Sequence, residues 1–130
     1  MKFTLVILGS PATSQAPETA LRFARALLAE GHQLACVFFH HDGVHAGNAA
    51  SDPGADAQCA GAAWSELGER QGVELLLCAA SAAHRGLFCS ADARRRGRDQ
   101  GNLLRGYSVA GLGQLVEAVL MSDRVVSFAP

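Results

Sequence analysis

Four cysteines, Cys36, Cys59, Cys78 and Cys89, are the side chains best suited to covalent chemistry in this sequence. The attacking species is the thiolate. An ordinary cysteine has a pKa of about 8.5, so a reactive one needs a helix N-terminus or a cation beside it. Cys78 meets that requirement best. It ends the apolar run Val73–Cys78 (VELLLC), and the small residues Ala79-Ala80-Ser81-Ala82-Ala83 that follow let another molecule approach. If those residues open a helix, its unpaired N–H groups face the thiol, and His84 and Arg85 are the nearby cations. The competing reading is a packed core cysteine, because Cys is among the most buried residue types; strand-end placement alone leaves the two even. Cys36 falls inside an apolar run and is expected to be packed. Cys59 opens a helix after a polar loop, with nothing arranged around it. Cys89, after Leu87-Phe88, would be a resolving thiol for Cys78 if the intervening loop folds back. No pair has the C-x-x-C spacing of a zinc knuckle or a thioredoxin-like motif.

Two further clusters could do chemistry. His40-His41-Asp42-Gly43-Val44-His45 sets three imidazoles and a carboxylate after an apolar run, but no other ligands complete a metal site. The expected roles are a pocket rim for His40 and His41 and a turn at Asp42-Gly43. The run Arg94-Arg95-Arg96-Gly97-Arg98 is strongly basic. It reads either as a solvated helix end whose cations suit the C-terminal dipole, or as a docking patch for an acidic partner or an anionic sulfur species. RNA ranks lower, because aromatics for base stacking are not interleaved with the arginines. Gly9-Ser10-Pro11 and Gly111-Leu112-Gly113 match neither a Rossmann fingerprint nor a P-loop, which disfavours a nucleotide-binding enzyme. No cofactor is expected, although a flavodoxin-like redox module stays open as a rival.

The elements that must position these residues alternate in type. Lys2–Leu8 (KFTLVIL), Gln33–Phe39 (QLACVFF) and Val73–Cys78 are apolar runs of the kind found in strands buried on both faces. Between them the period becomes helical over Ala16–Glu30, with Ser14 as cap, Pro17 in the first turn and Gly31 as stop, and over Gln58–Gln71. Ala79–Ala83 is helix or strand-end loop. Ser90–Arg98 reads as a short polar helix, Tyr107–Val109 as a short strand, Gly111–Ser122 as a helix and Arg124–Phe128 as a last strand. His40–Asp56 is a polar stretch longer than a plain connection needs. The alternation predicts a three-layer α/β/α fold, flavodoxin- or Rossmann-like, with a central and mainly parallel five-stranded sheet. In such sheets the site lies beyond the carboxyl ends of the strands, which selects the segments after Leu8, Phe39, Cys78 and Val109.

Composition narrows the function classes. At 130 residues the chain fits one domain, spanning 1–130. Its hydrophobic fraction of 49% and net charge of −1 exclude intrinsic disorder and the global positive field of a nucleic-acid binder. No apolar run reaches the ~20 residues of a membrane span. The first strand is too short for a signal peptide, so a reducing cytoplasm without disulfides is expected.

Several segments together resemble the TusD/DsrE family of sulfur-relay proteins. They are Val37-Phe38-Phe39-His40-His41-Asp42-Gly43-Val44, Leu77-Cys78-Ala79-Ala80 leading to Arg85-Gly86, Ala110-Gly111-Leu112-Gly113-Gln114-Leu115-Val116-Glu117-Ala118, and Ser122-Asp123-Arg124-Val125-Val126-Ser127-Phe128. They occur in the family's order over nearly the whole chain. The resemblance implies a DsrE-like domain and a sulfurtransferase in which Cys78 carries a persulfide. It also implies TusB- and TusC-like subunits in a heterohexamer, a TusA-like sulfur donor, a TusE-like acceptor, and 2-thiouridine at tRNA wobble positions as the destination of the sulfur. Neither direct nucleic-acid binding nor membrane association is expected. The alternatives are a DsrE-type subunit of dissimilatory sulfur oxidation and a scaffolding subunit whose cysteine is only packed. The family usually has two arginines before the glycine that follows the active strand; here the first is His84. The acidic segment that commonly comes next is replaced by Phe88-Cys89-Ser90-Ala91-Asp92.

Overall fold

The computed structural model describes residues 1–51 and 59–130. Five strands form one sheet: β1 (Lys2–Ile7), β2 (Gln33–Phe39), β3 (Glu74–Cys78), β4 (Tyr107–Ala110) and β5 (Arg124–Phe128). Every pairing is parallel, and the order across the sheet is β4-β3-β2-β1-β5. The expected three-layer architecture is therefore present, with a wholly parallel sheet.

The helices are α1 (Ala16–Ala29), α2 (Ala60–Gln71), α3 (Ala79–His84), α4 (Ser90–Arg95) and α5 (Leu112–Leu120). The long polar stretch after β2 holds a 3₁₀ helix over His41–Gly47; its continuation through Asp56, and the expected helix start at Gln58, lie outside the described residues. Ala79–Ala83, open in the sequence, is the helix α3. Ser14 acts at the start of α1 as expected, accepting the Ala16 N–H at 3.0 Å, although the capping position itself is Gln15. The basic helix α4 is shorter than expected because the chain turns at Gly97, whose φ is +74°.

The crossovers from β1 through β4 all step in one direction, so right-handed connections lay α1, α2 and the α3–α4 segment on one sheet face. The return from β4 to β5 puts α5 on the other. Side-chain alternation confirms the layering. Leu5, Ile7, Val37, Phe39, Leu75 and Leu77 point to the first face, where Phe39 packs edge-on to Trp64 of α2 at 5.9 Å. Trp64 is sealed and satisfies its indole N–H on the Pro17 carbonyl at 3.0 Å. Thr4 points to the second face, where its buried hydroxyl meets Ser122 just beyond α5 at 2.7 Å. The second face is the thinner layer, covered by one nine-residue helix.

Candidate active site

Cys78 is the last residue of β3 and the N-cap of α3. Alternation sets it on the α5 face together with Phe38 and Leu76. Its ladder partner is Ala110, and the next residue, Gly111, caps α5. Two helices therefore begin beside the same end of the β3–β4 ladder, one from the cysteine and one from the residue after its partner. Both direct unpaired N–H groups and the positive ends of their dipoles toward that end of the sheet, an environment that favours negative charge. The Cys78 side chain makes no capping hydrogen bond.

The cysteine is buried, with 2% of its surface exposed. Its cover is thin. Ala79 and Ala80 are exposed, and a side chain added at Gly111 would meet nothing within 4 Å. The chain on both sides of the Cys78–Ala110 ladder end thus presents methyl groups and bare backbone to the surface. A separate cleft of about 320 Å³ is lined by Pro11–Gln15, Pro17, Glu18 and Ala60, beyond β1, and takes no residue from the Cys78 segment.

Helix α3 has only six residues, too few to be stable from its own hydrogen bonds, so its position is set from outside. The bracing comes from the turn after β2. Ser81 accepts the His41 N–H at 3.0 Å, and its hydroxyl lies 3.3 Å from His40 Nδ1. Ser81 thus bonds both to the His41 amide and to the His40 ring, whose tautomer sets the direction of the second bond. Arg85, at the far end of α3, donates to Asp42 Oδ1 at 2.8 Å and to the Ser81 carbonyl at 3.1 Å. Leu87 N–H returns to the Ala82 carbonyl at 2.9 Å. The brace has one strained joint. His41 holds a left-handed φ of +47°, uncommon for a residue with a side chain.

Charge in this brace is arranged accordingly. Partial burial holds the His40 pKa below its ordinary 6.5, with the neighbouring His41 and Arg85 acting in the same direction. Asp42 is held below the usual carboxylate range, chiefly by the hydrogen bond from Arg85. His84 and Arg85, the candidate cations for the thiol, lie elsewhere. Cys78 is at the start of α3, whereas His84 is at its end, exposed, and Arg85 is committed to Asp42. Six residues at 1.5 Å each put that end about 9 Å along the helix axis.

The 3₁₀ helix also sits where it does because of a glycine. A Cβ at Gly43 would lie 2.1 Å from the Ile7 carbonyl oxygen, so only glycine lets the turn rest on the end of β1. The expected turn at Asp42-Gly43 is thus real, but Gly43 serves close approach and the left-handed residue is His41. The other expected site features fall apart. Cys36 is buried mid-strand, and burial pushes its thiol pKa up. Cys89 is half-buried with its thiol 3.5 Å from Asp92 Oδ2, and all four cysteines are free. Among the described residues no three His, Cys, Asp or Glu side chains cluster as metal ligands. Sequence reasoning missed the Ser81–His40 contact. Its only signal was a polar residue within an otherwise all-alanine stretch.

A family model, the DsrE/DsrF-like family, matches residues 1–128. The chain belongs to that family. It is similar to the protein named sulfurtransferase TusD of Cronobacter sakazakii, with 43% identity over 98% of this chain and 100% of that one. The same name is carried by relatives in Enterobacter sp. (strain 638) and Salmonella newport, each 41% identical over the same shares. Among solved structures, the ychN protein from E. coli superposes with a TM-score of 0.79 and 26% identity, covering 98% of this chain and 99% of that one.

Proposed function

We propose that this member of the DsrE/DsrF-like family is a sulfurtransferase of the TusD type and that Cys78 carries the sulfur. The observation that carries the assignment to Cys78 is its place at the ladder end, between the starts of α3 and α5 and under exposed alanines. Cys36 lies mid-strand, away from any helix start, and among the described residues Cys59 and Cys89 each adjoin the start of one helix and not of two.

The reaction needs only thiol exchange. The Cys78 thiolate attacks the outer sulfur of a carrier's persulfide. A bond forms between that sulfur and Sγ, the carrier's S–S bond breaks, and the carrier cysteine leaves as a thiolate. One sulfur atom changes hands without net oxidation. A thiolate on the next carrier removes it by the same step, and Cys78 is regenerated. The N-termini of α3 and α5 face the ladder end where the transfer takes place, and the small residues beside it leave room for a carrier tail. A TusA-like donor and a TusE-like acceptor fit these roles, with tRNA 2-thiouridine as the end product.

The surface of α5 supports work within an assembly of TusB- and TusC-like subunits. None of its residues is buried; Val116 is 55% exposed and Leu120 78%. Leu112, Val119, Met121 and Val125 extend the same apolar surface to β5, an edge strand. A monomer gains nothing from leaving such a face in water.

The test is transfer from a persulfidated donor protein, followed by intact mass. The wild-type chain is expected to gain one sulfur atom and pass it to an added acceptor thiol, and Cys78→Ser to gain none. Equal uptake by Cys78→Ser removes Cys78 from the reaction.

A further inference from the structure

The charge of this chain is strongly segregated. Residues 85–105 hold six of the eleven Lys and Arg residues but two of the twelve Asp and Glu, so this stretch carries +4 and the remainder −5. The stretch belongs to the crossover that Cys78 opens. Asn102 pins it: its Oδ1 accepts the Phe88 N–H at 2.9 Å, its own N–H reaches the Phe88 carbonyl at 3.1 Å, and its amide reaches the Gly86 carbonyl at 2.8 Å.

The arginines here are not a loose run. The end of α4 is a Schellman motif: Gly97 N–H bonds to the Arg94 carbonyl at 3.1 Å and Arg98 N–H to the Ala93 carbonyl at 2.8 Å. That turn brings Arg96 and Arg98 back over one ring, with their guanidinium carbons 4.4 and 5.6 Å from the Phe88 centroid. Arg95 pairs with Asp92, whereas among the described residues Arg94, Arg96 and Arg98 pair with no carboxylate. Two like charges gathered at one phenyl ring repel each other in the free chain, and a bound anion relieves that. Because the ring already orders them, little side-chain entropy is lost when carboxylates bind.

We propose that Arg94, Arg96 and Arg98 form a docking surface for an acidic segment of the protein that delivers sulfur to Cys78. This rests on Cys78 being the sulfur carrier. The surface is suited to carboxylates, which guanidinium forks grip in pairs. RNA fits less well, since stacking needs open aromatic faces. Phe88 is buried beneath the arginines, and Tyr107 is buried with its hydroxyl on the Gly61 carbonyl.

The probes are two synthetic peptides of equal length, each with one persulfidated cysteine, one flanked by four Asp and Glu residues and the other by their Asn and Gln counterparts. The ratio of their second-order loading rates, read by mass, isolates the electrostatic contribution. In the wild-type chain at low salt the acidic peptide is expected to load about tenfold faster, the lower end of electrostatic steering, with the ratio falling as salt rises. In Arg94→Gln/Arg96→Gln/Arg98→Gln the ratio is expected to approach one. The wild-type salt series stands by itself should that variant fold poorly. If both peptides load the wild type equally at low salt, the docking surface is refuted while Cys78 chemistry stands. If neither peptide loads the wild type but the triple variant and wild type both bind the acidic one alike, both ideas fail. A ratio of one together with tight, arginine-dependent binding of a tRNA transcript reassigns the surface to RNA.

Discussion

The two ends of chain around the sheet are finished in opposite ways. Beyond β2 and β3 the backbone is cross-braced, and a polar side chain, Ser81, is buried with its hydrogen bonds made. On the opposite face, α5 carries most of the exposed large apolar side chains among the described residues and has no buried residue at all. Burial cannot explain both. The first region behaves as an interior of this chain; the second is an apolar face that this chain leaves uncovered. Cys78 lies at their junction, braced through α3 on one side and facing the α5 layer on the other.

The largest expected effect comes from breaking the second region. Val116→Asp with Leu120→Asp should weaken association with partner subunits by at least about a hundredfold, since buried apolar anchors dominate interface energy. The unfolding free energy of the isolated chain should stay within about 0.5 kcal/mol, as for ordinary surface changes. Size-exclusion chromatography of the co-expressed subunits and urea titration of the chain read the two halves. A double variant that still co-elutes would mean that the apolar face is no interface.

The braced region should respond the other way, in stability. Gly43→Ala forces a methyl group against the Ile7 carbonyl and should cost about 3 kcal/mol, the upper range for overpacking, visible as a lower urea midpoint. An unchanged midpoint would show that the 3₁₀ helix is free to lift from β1.

The smallest effect is in pH. His40 has a lowered pKa in the folded chain, so between its folded value and the ordinary 6.5 the unfolded chain binds the proton and the folded one does not. The stability due to neutral His40 is complete above about pH 6.5 and declines as pH falls through that window. His40→Asn keeps a hydrogen-bond partner for Ser81 and should flatten this decline in urea titrations between pH 7.5 and 5.5. An identical slope in the variant would place the pH dependence elsewhere.

This contrast also separates what was legible in the sequence from what was not. The strands β1, β2 and β3 were readable within a residue or so, because burial on both faces writes a near-continuous apolar run; β5, an exposed edge strand, was readable from the Val125-Val126 pair after the turn that ends α5. Helix α3 stayed ambiguous because its stability is tertiary. A six-residue alanine-rich piece has no periodicity to read, and the residues that hold it come from forty positions earlier in the chain. Helix α5 was legible as a helix but not as a surface: Leu112, Val116 and Leu120 have the spacing of a core stripe, and periodicity says that a face is buried without saying in which molecule. The candidate thiol was legible from its position at a strand end. Its surroundings were not, since Arg85 turned out to serve Asp42, and the second helix start arrives through the pairing of Cys78 with Ala110.

The most direct measurement is peptide mapping after sulfur loading. The native chain is incubated with a persulfidated donor, capped with iodoacetamide, digested and read by mass spectrometry cysteine by cysteine. The added sulfur should reside on the peptide containing Cys78, with Cys36, Cys59 and Cys89 recovered as singly capped thiols. Sulfur distributed over Cys59 or Cys89, with Cys78 unmodified, would contradict the assignment.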